Sequence, residues 1–178
     1  KKYPVCRKEF LETDDSKKAN VYAFIKEISD RAKENQITVV GNGSACVVGG
    51  HSYIIKKGQR FISNSAVASM GYDLPAAIGA YMANIEGKRF DKELILITGD
   101  GSIQMNLQEL QTIVHHKADI KIFLINNEGY HSIRQTQTKF FGDKPLVGIG
   151  PDSGDLSFPD MEKLSAAYGI NYISAKTN

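Results

Sequence analysis

Three short and largely apolar runs, Ile37–Val40, Leu94–Thr98 and Ile120–Ile125, each stop at a glycine or at paired asparagines. None alternates apolar with polar residues, so the strands they form must be covered on both faces. That is the mark of a parallel sheet between layers of helices. The intervening segments have helical spacing. Val21, Phe24, Ile25 and Ile28 share one face of a helix expected over 17–34. Further helices are expected within Ser44–Ile55, over Leu74–Ile85 with Pro75 in the first turn, and over Ser132–Lys139 and Pro159–Tyr168. Another, Ile103–His116, is striped by Ile103, Leu107, Leu110 and Val114. Arg60–Ser63 and Asn171–Ser174 read as additional short strands, and Gly142–Pro159 as a loop rich in Gly, Asp and Pro. The alternation gives the fold class: α/β, a three-layer doubly wound parallel sheet with helices on both faces.

Composition sets outer bounds. A chain of 178 residues that is 42% hydrophobic can bury one sizeable core and is no disordered tail. With 22 basic against 20 acidic residues it has no excess of cations for a nucleic-acid surface. No apolar run nears the roughly 20 residues that span a bilayer, so no membrane partner is expected. Cys6 and Cys46 lie far apart without metal-ligand spacing, which argues against a disulfide framework and for a reducing, cytoplasmic setting. The four histidines form no zinc pattern, and His115 and His116 should point apart on a helix.

In such sheets ligands bind beyond the carboxyl ends of the strands. Gly41-Asn42-Gly43-Ser44-Ala45-Cys46 half-matches a dinucleotide fingerprint, but no Asp or Glu lies between Glu34 and Asp73 to accept from a ribose hydroxyl. The loop therefore reads equally as a tight turn or as a phosphate-binding turn before a helix. In Gly99-Asp100-Gly101-Ser102 the carboxylate could cap the following helix. Glycine on both sides exceeds what a cap needs and lets a ligand approach the backbone. One strand later, Asn127 and Gly129 occupy the corresponding loop. The Asp100 carboxylate, the Asn127 amide and the Gly129 carbonyl form an oxygen half-shell suited to Mg²⁺. A diphosphate would complete it, aided by the helix dipole.

Gly99-Asp100-Gly101 followed by Asn126-Asn127, with the 24 residues 102–125 between them, resembles the signature of thiamine diphosphate-dependent enzymes. Two stretches are similar to the acetolactate synthase branch: Ser69-Met70-Gly71-Tyr72-Asp73-Leu74-Pro75-Ala76-Ala77-Ile78-Gly79-Ala80 and Gly101-Ser102-Ile103-Gln104-Met105-Asn106-Leu107-Gln108-Glu109-Leu110. The resemblance spans Val21 to Ser174 and implies the C-terminal, diphosphate-binding domain of such an enzyme. It implies that Asp100, Asn127 and the Gly129 carbonyl bind Mg²⁺. Gly43, Ser44, Gly99, Gly101 and Ser102 then face the diphosphate of thiamine diphosphate, with Ile133 also at the cofactor. Met70 would lie beneath the cofactor and bend it, while the Ala68 carbonyl and the Met70 N–H bond its aminopyrimidine. The bend brings the amino group beside the reactive carbon, so that the proton moves within one molecule.

The resemblance further implies a parent enzyme that decarboxylates a pyruvate-like 2-keto acid and passes the acyl carbanion equivalent to a carbonyl acceptor. Its activating Glu would lie on a separate pyrimidine-binding domain, from a neighbouring subunit of a homodimer or homotetramer. Residues 1–18 then read as an interdomain linker and 19–178 as the cofactor-binding domain, inactive when isolated. This chain has Ser44-Ala45-Cys46 where the acetolactate synthase branch has Gln-His-Gln, and Thr136 near the position of a Trp. Those departures bear on substrate choice. His131 and Arg134 are substrate-side candidates, since a cation there could hold a carboxylate. Two other readings stay open: an NAD-dependent oxidoreductase domain using the Gly41 loop, and a non-catalytic cofactor-binding module.

Overall fold

The computed structural model of the chain describes residues 6–14, 18–142 and 144–177. Its centre is a sheet of four parallel strands, β1 (Ile37–Val40), β2 (Arg60–Ser63), β3 (Leu94–Gly99) and β4 (Ile120–Ile125), in the order β2-β1-β3-β4. In register, Ile37 pairs with Leu94 and Leu94 with Ile120. The chain leaves β1 for one edge and returns to place β3 on its other side. The order therefore reverses between β1 and β3, where doubly wound sheets open a crevice for ligands.

Both faces are covered, as the apolar runs require. On one, Val40, Ile95 and Ile97 pack with Ile25 and Ile28 of α1 (Val21–Arg31) and Ala45 and Val48 of α2 (Ser44–Ser52). On the other, Val39, Leu94 and Leu96 pack with Leu74 and Ala77 of α3 (Asp73–Gly87) and Ile103 of α4 (Asp100–Ile103). Leu110 and Ile113 of α5 (Glu109–His115) and Met161 of α7 (Met161–Ala167) complete that face. α6 (His131–Phe141) follows β4. Asn20 caps α1 by accepting from the Tyr22 amide at 2.9 Å. Its own amide donates to the carbonyls of Phe10 and Glu12.

Several expectations are corrected. The helix expected over Ile103–His116 is broken by a 3-10 turn at Gln104–Asn106. The break shifts the inward stripe, so Ile113 is buried while Val114 is exposed. His116 ends that helix as its cap rather than continuing it, and its ring meets that of His115 edge-on at 4.9 Å. No strand forms at Asn171–Ser174: Ile173 is 93% exposed, and the nearby Lys176 carbonyl accepts from the Ala19 amide instead of a sheet neighbour. Of the expected linker, residues 1–5 and 15–17 lie outside the described residues. Lys8–Leu11 forms a 3-10 turn, with the Phe10 ring 5.0 Å from Tyr22 of α1. Among the described residues no helix is long and apolar enough to cross a membrane.

Candidate functional site

The ends of β1, β3 and β4 meet around a cleft of about 160 Å³. Its wall includes Gly43, Ser44, Met70, Gly99, Asp100, Gly101, Ser102, Asn127, Gly129, His131 and Ile133. Those are eleven of the residues singled out in the sequence, drawn from four separate segments. Ala68 and Arg134 are not among the lining residues. Asn42, Ile125, Tyr130 and Ser132 line it as well. A larger open groove, about 430 Å³, lies at the far end of the sheet where Arg60 begins β2, and holds none of these residues. The strand-end cleft is the better candidate because the loops after β1, β3 and β4 converge there.

β3 runs directly into α4, so Asp100 is the first residue of that helix and Gly99 its cap. The Asp100 side chain is buried and bends toward backbone: Oδ1 accepts from the Gly101 amide at 2.8 Å and Oδ2 from the Gly129 amide at 3.0 Å. Burial pushes its carboxyl above the ordinary aspartate value, while the Gly129 and Gly101 amides pull the other way. A carboxylate in this position gains from a cation. Beside it, Asn127 donates to the Ser44 hydroxyl at 3.5 Å, but its Oδ1 is buried with no hydrogen-bond partner. A buried acceptor left without a donor costs about 1–3 kcal/mol, and a cation would satisfy it. Among the described residues no three His, Cys, Asp or Glu side chains cluster as metal ligands. One carboxylate, one amide oxygen and backbone carbonyls are hard donors that suit Mg²⁺ completed by phosphate oxygens.

Close packing sets the floor of the cleft. A Cβ on Gly101 would lie 2.4 Å from Cε1 of Tyr130, so only glycine lets that ring rest on α4. Tyr130 in turn meets Phe158 edge-on at 5.7 Å. The Ser102 hydroxyl, expected at a phosphate, accepts from the Gly71 amide at 3.0 Å, and the Asn106 amide donates to the Gly71 carbonyl at 2.7 Å. These bonds dock the Met70 segment against α4. Ala68 holds a positive φ of 54°, unusual for a residue with a side chain and a known companion of functional sites. Behind the loops, the fully buried Asp73 accepts from Thr98, which is also fully buried. No periodicity marked either residue beforehand.

Residues 41–178 match the family described as "Thiamine pyrophosphate enzyme, C-terminal TPP binding domain". The chain belongs to that family. It is 43% identical over 119 residues to the acetolactate synthase large subunit of Cyanidium caldarium, covering 67% of this chain and 19% of that protein. It is 32% identical over 171 residues to the chloroplastic acetolactate synthase of Arabidopsis thaliana, covering 95% of this chain and 24% of that protein. With the acetolactate synthase isozyme 1 large subunit of Escherichia coli (strain K12), identity is 28% over 149 residues, 84% of this chain and 25% of that protein. The chain thus spans a quarter or less of these relatives, and is an acetolactate synthase-like, thiamine diphosphate-binding C-terminal domain.

Proposed function

We propose that the cleft holds the diphosphate of thiamine diphosphate through Mg²⁺, as part of an enzyme that decarboxylates a pyruvate-like 2-keto acid and transfers the acyl carbanion equivalent to a carbonyl acceptor. The observation that carries this reading is the buried, unpartnered Oδ1 of Asn127 on the same cleft wall as the buried Asp100 carboxylate. Asp100, Asn127 and the Gly129 carbonyl would hold the cation. Gly43 and Ser44 at the start of α2, with Gly99, Gly101 and Ser102 of the β3–α4 junction, would face the phosphates. Met70, Ile125 and Ile133 give the cleft an apolar side that sheds water. When bound, the cofactor supplies the carbon nucleophile and the electron sink that decarboxylation needs.

Ala68, displaced from the lining, would present its carbonyl to the aminopyrimidine. His131, exposed on the rim, and Arg134, just outside the lining, are the substrate-side candidates. The activating Glu would come from a pyrimidine-binding domain of a neighbouring subunit in a homodimer or homotetramer, a reading supported by the greater length of the relatives. Residues 19–178 then form the cofactor-binding domain, joined to the rest through 1–18. The free thiols of Cys6 and Cys46 accord with a cytoplasmic setting.

Calorimetry tests the reading. The chain is expected to bind thiamine diphosphate only with Mg²⁺ present, to ignore NAD, and to show no turnover of pyruvate alone. Binding of NAD with no response to thiamine diphosphate would instead favour an oxidoreductase domain.

A further inference from the structure

We propose that Arg134 is a positioning residue: with the turn around Gly150 it clamps the Asn126–Tyr130 loop, so that Asn127 and the Gly129 carbonyl stand ready for the cation. The inference rests on the reading of the cleft given above. It assigns Arg134 a role other than holding a substrate carboxylate.

Two segments distant in sequence press backbone against backbone here. The Tyr130 amide donates to the carbonyl of the fully buried Ile149 at 2.8 Å. A Cβ on Gly129 would lie 2.0 Å from that carbonyl oxygen, and one on Gly150 would lie 2.4 Å from the Glu128 oxygen. Both glycines also hold positive φ, 150° and 140°. The contact therefore admits a side chain on neither strand of the clasp.

The turn is braced from within. The Ser153 hydroxyl donates to the Gly150 carbonyl at 2.7 Å and accepts from the Ile149 amide at 3.1 Å. The Gly148 amide donates to the Asp155 carboxylate at 2.9 Å.

Arg134 joins the two segments. Its Nη2 donates to the Glu128 carbonyl at 3.3 Å and lies 3.2 Å from Oδ2 of Asp152, which sits within the turn. Its side chain is only 23% exposed, and its Nε is buried without a partner. The Nη2 group is thus committed to the loop and the turn at once. It fixes the carbonyl between the two residues that would bind the metal. Groups that orient metal ligands from behind typically change metal affinity by 10–100-fold when removed.

The test uses the whole 178-residue chain and the variants Arg134→Met and Asp152→Asn, the latter at a largely exposed side chain that leaves the core untouched. Mg²⁺ is titrated at saturating thiamine diphosphate, and amide hydrogen exchange is followed without any ligand. The expected result is Mg²⁺ binding about 10-fold weaker in both variants. The Gly129 and Tyr130 amides should exchange faster while those of β3 are unchanged. The thermal midpoint should move by no more than about 4 °C.

Wild-type binding that both variants match would overturn the clamp and leave the cleft assignment standing. If the wild-type chain fails to bind Mg²⁺ and cofactor, the cleft assignment falls, and exchange alone then decides. Faster exchange at Gly129 and Tyr130 in the variants keeps the clamp; unchanged exchange overturns it.

Discussion

The Gly129 amide donates to Oδ2 of Asp100 at 3.0 Å, fastening the loop after β4 to the residue that begins α4 after β3. The two loops that carry the family signature are thus joined by a direct hydrogen bond.

Replacing Asp100 by Ala leaves the buried Gly101 and Gly129 amides without an acceptor. The expected cost is about 1–3 kcal/mol of stability, read from urea unfolding. The same variant should lose Mg²⁺-dependent cofactor binding altogether, read by calorimetry.

Gly101→Ala puts a methyl where the Tyr130 ring lies, 2.4 Å from Cε1. The ring must leave α4 and its edge-on contact with Phe158. Overpacking of this kind costs about 1–3 kcal/mol. A lower thermal midpoint and weaker cofactor binding should appear together, and substituting Tyr130 with Ala in the same background should restore part of the stability.

Glu93 lies just before β3 and pairs with Lys121 of β4, while also accepting from Gln36 at 3.0 Å. The Lys121 ammonium holds the Glu93 carboxyl below the ordinary glutamate value. Its folded pKa is lower than its unfolded one, so the pair's stabilisation is present above about pH 4.3 and is lost as pH falls through the folded value. Urea midpoints of wild type and Glu93→Gln should therefore differ most near neutrality and converge on acidification. A gap independent of pH would contradict this assignment.

How much was visible in advance follows from what each residue answers to. Val39, Leu96 and Ile97 answer to burial on two faces, which an unbroken apolar run records directly. Asp100, between two glycines, and Asn127 stand just past the ends of the neighbouring strands β3 and β4, so their convergence follows from the topology. The pairing of Arg134 with Asp152 was not legible, because Asp152 reaches it from an aperiodic loop that no pattern in the sequence announces. The bond from the Gly71 amide to the Ser102 hydroxyl was not legible either, because it joins two loops with no periodic signal between them. Ile113 replaces Val114 in the core because a single 3-10 turn resets the helical phase.

The position of the divalent cation is the most direct test. Crystals grown with thiamine diphosphate and Mn²⁺ in place of Mg²⁺ report it through the metal's anomalous scattering. One strong peak is expected in the strand-end cleft, about 2.1 Å from oxygens of Asp100, Asn127 and Gly129. A cofactor bound there with no such peak, or with the peak at other residues, would contradict the metal assignment.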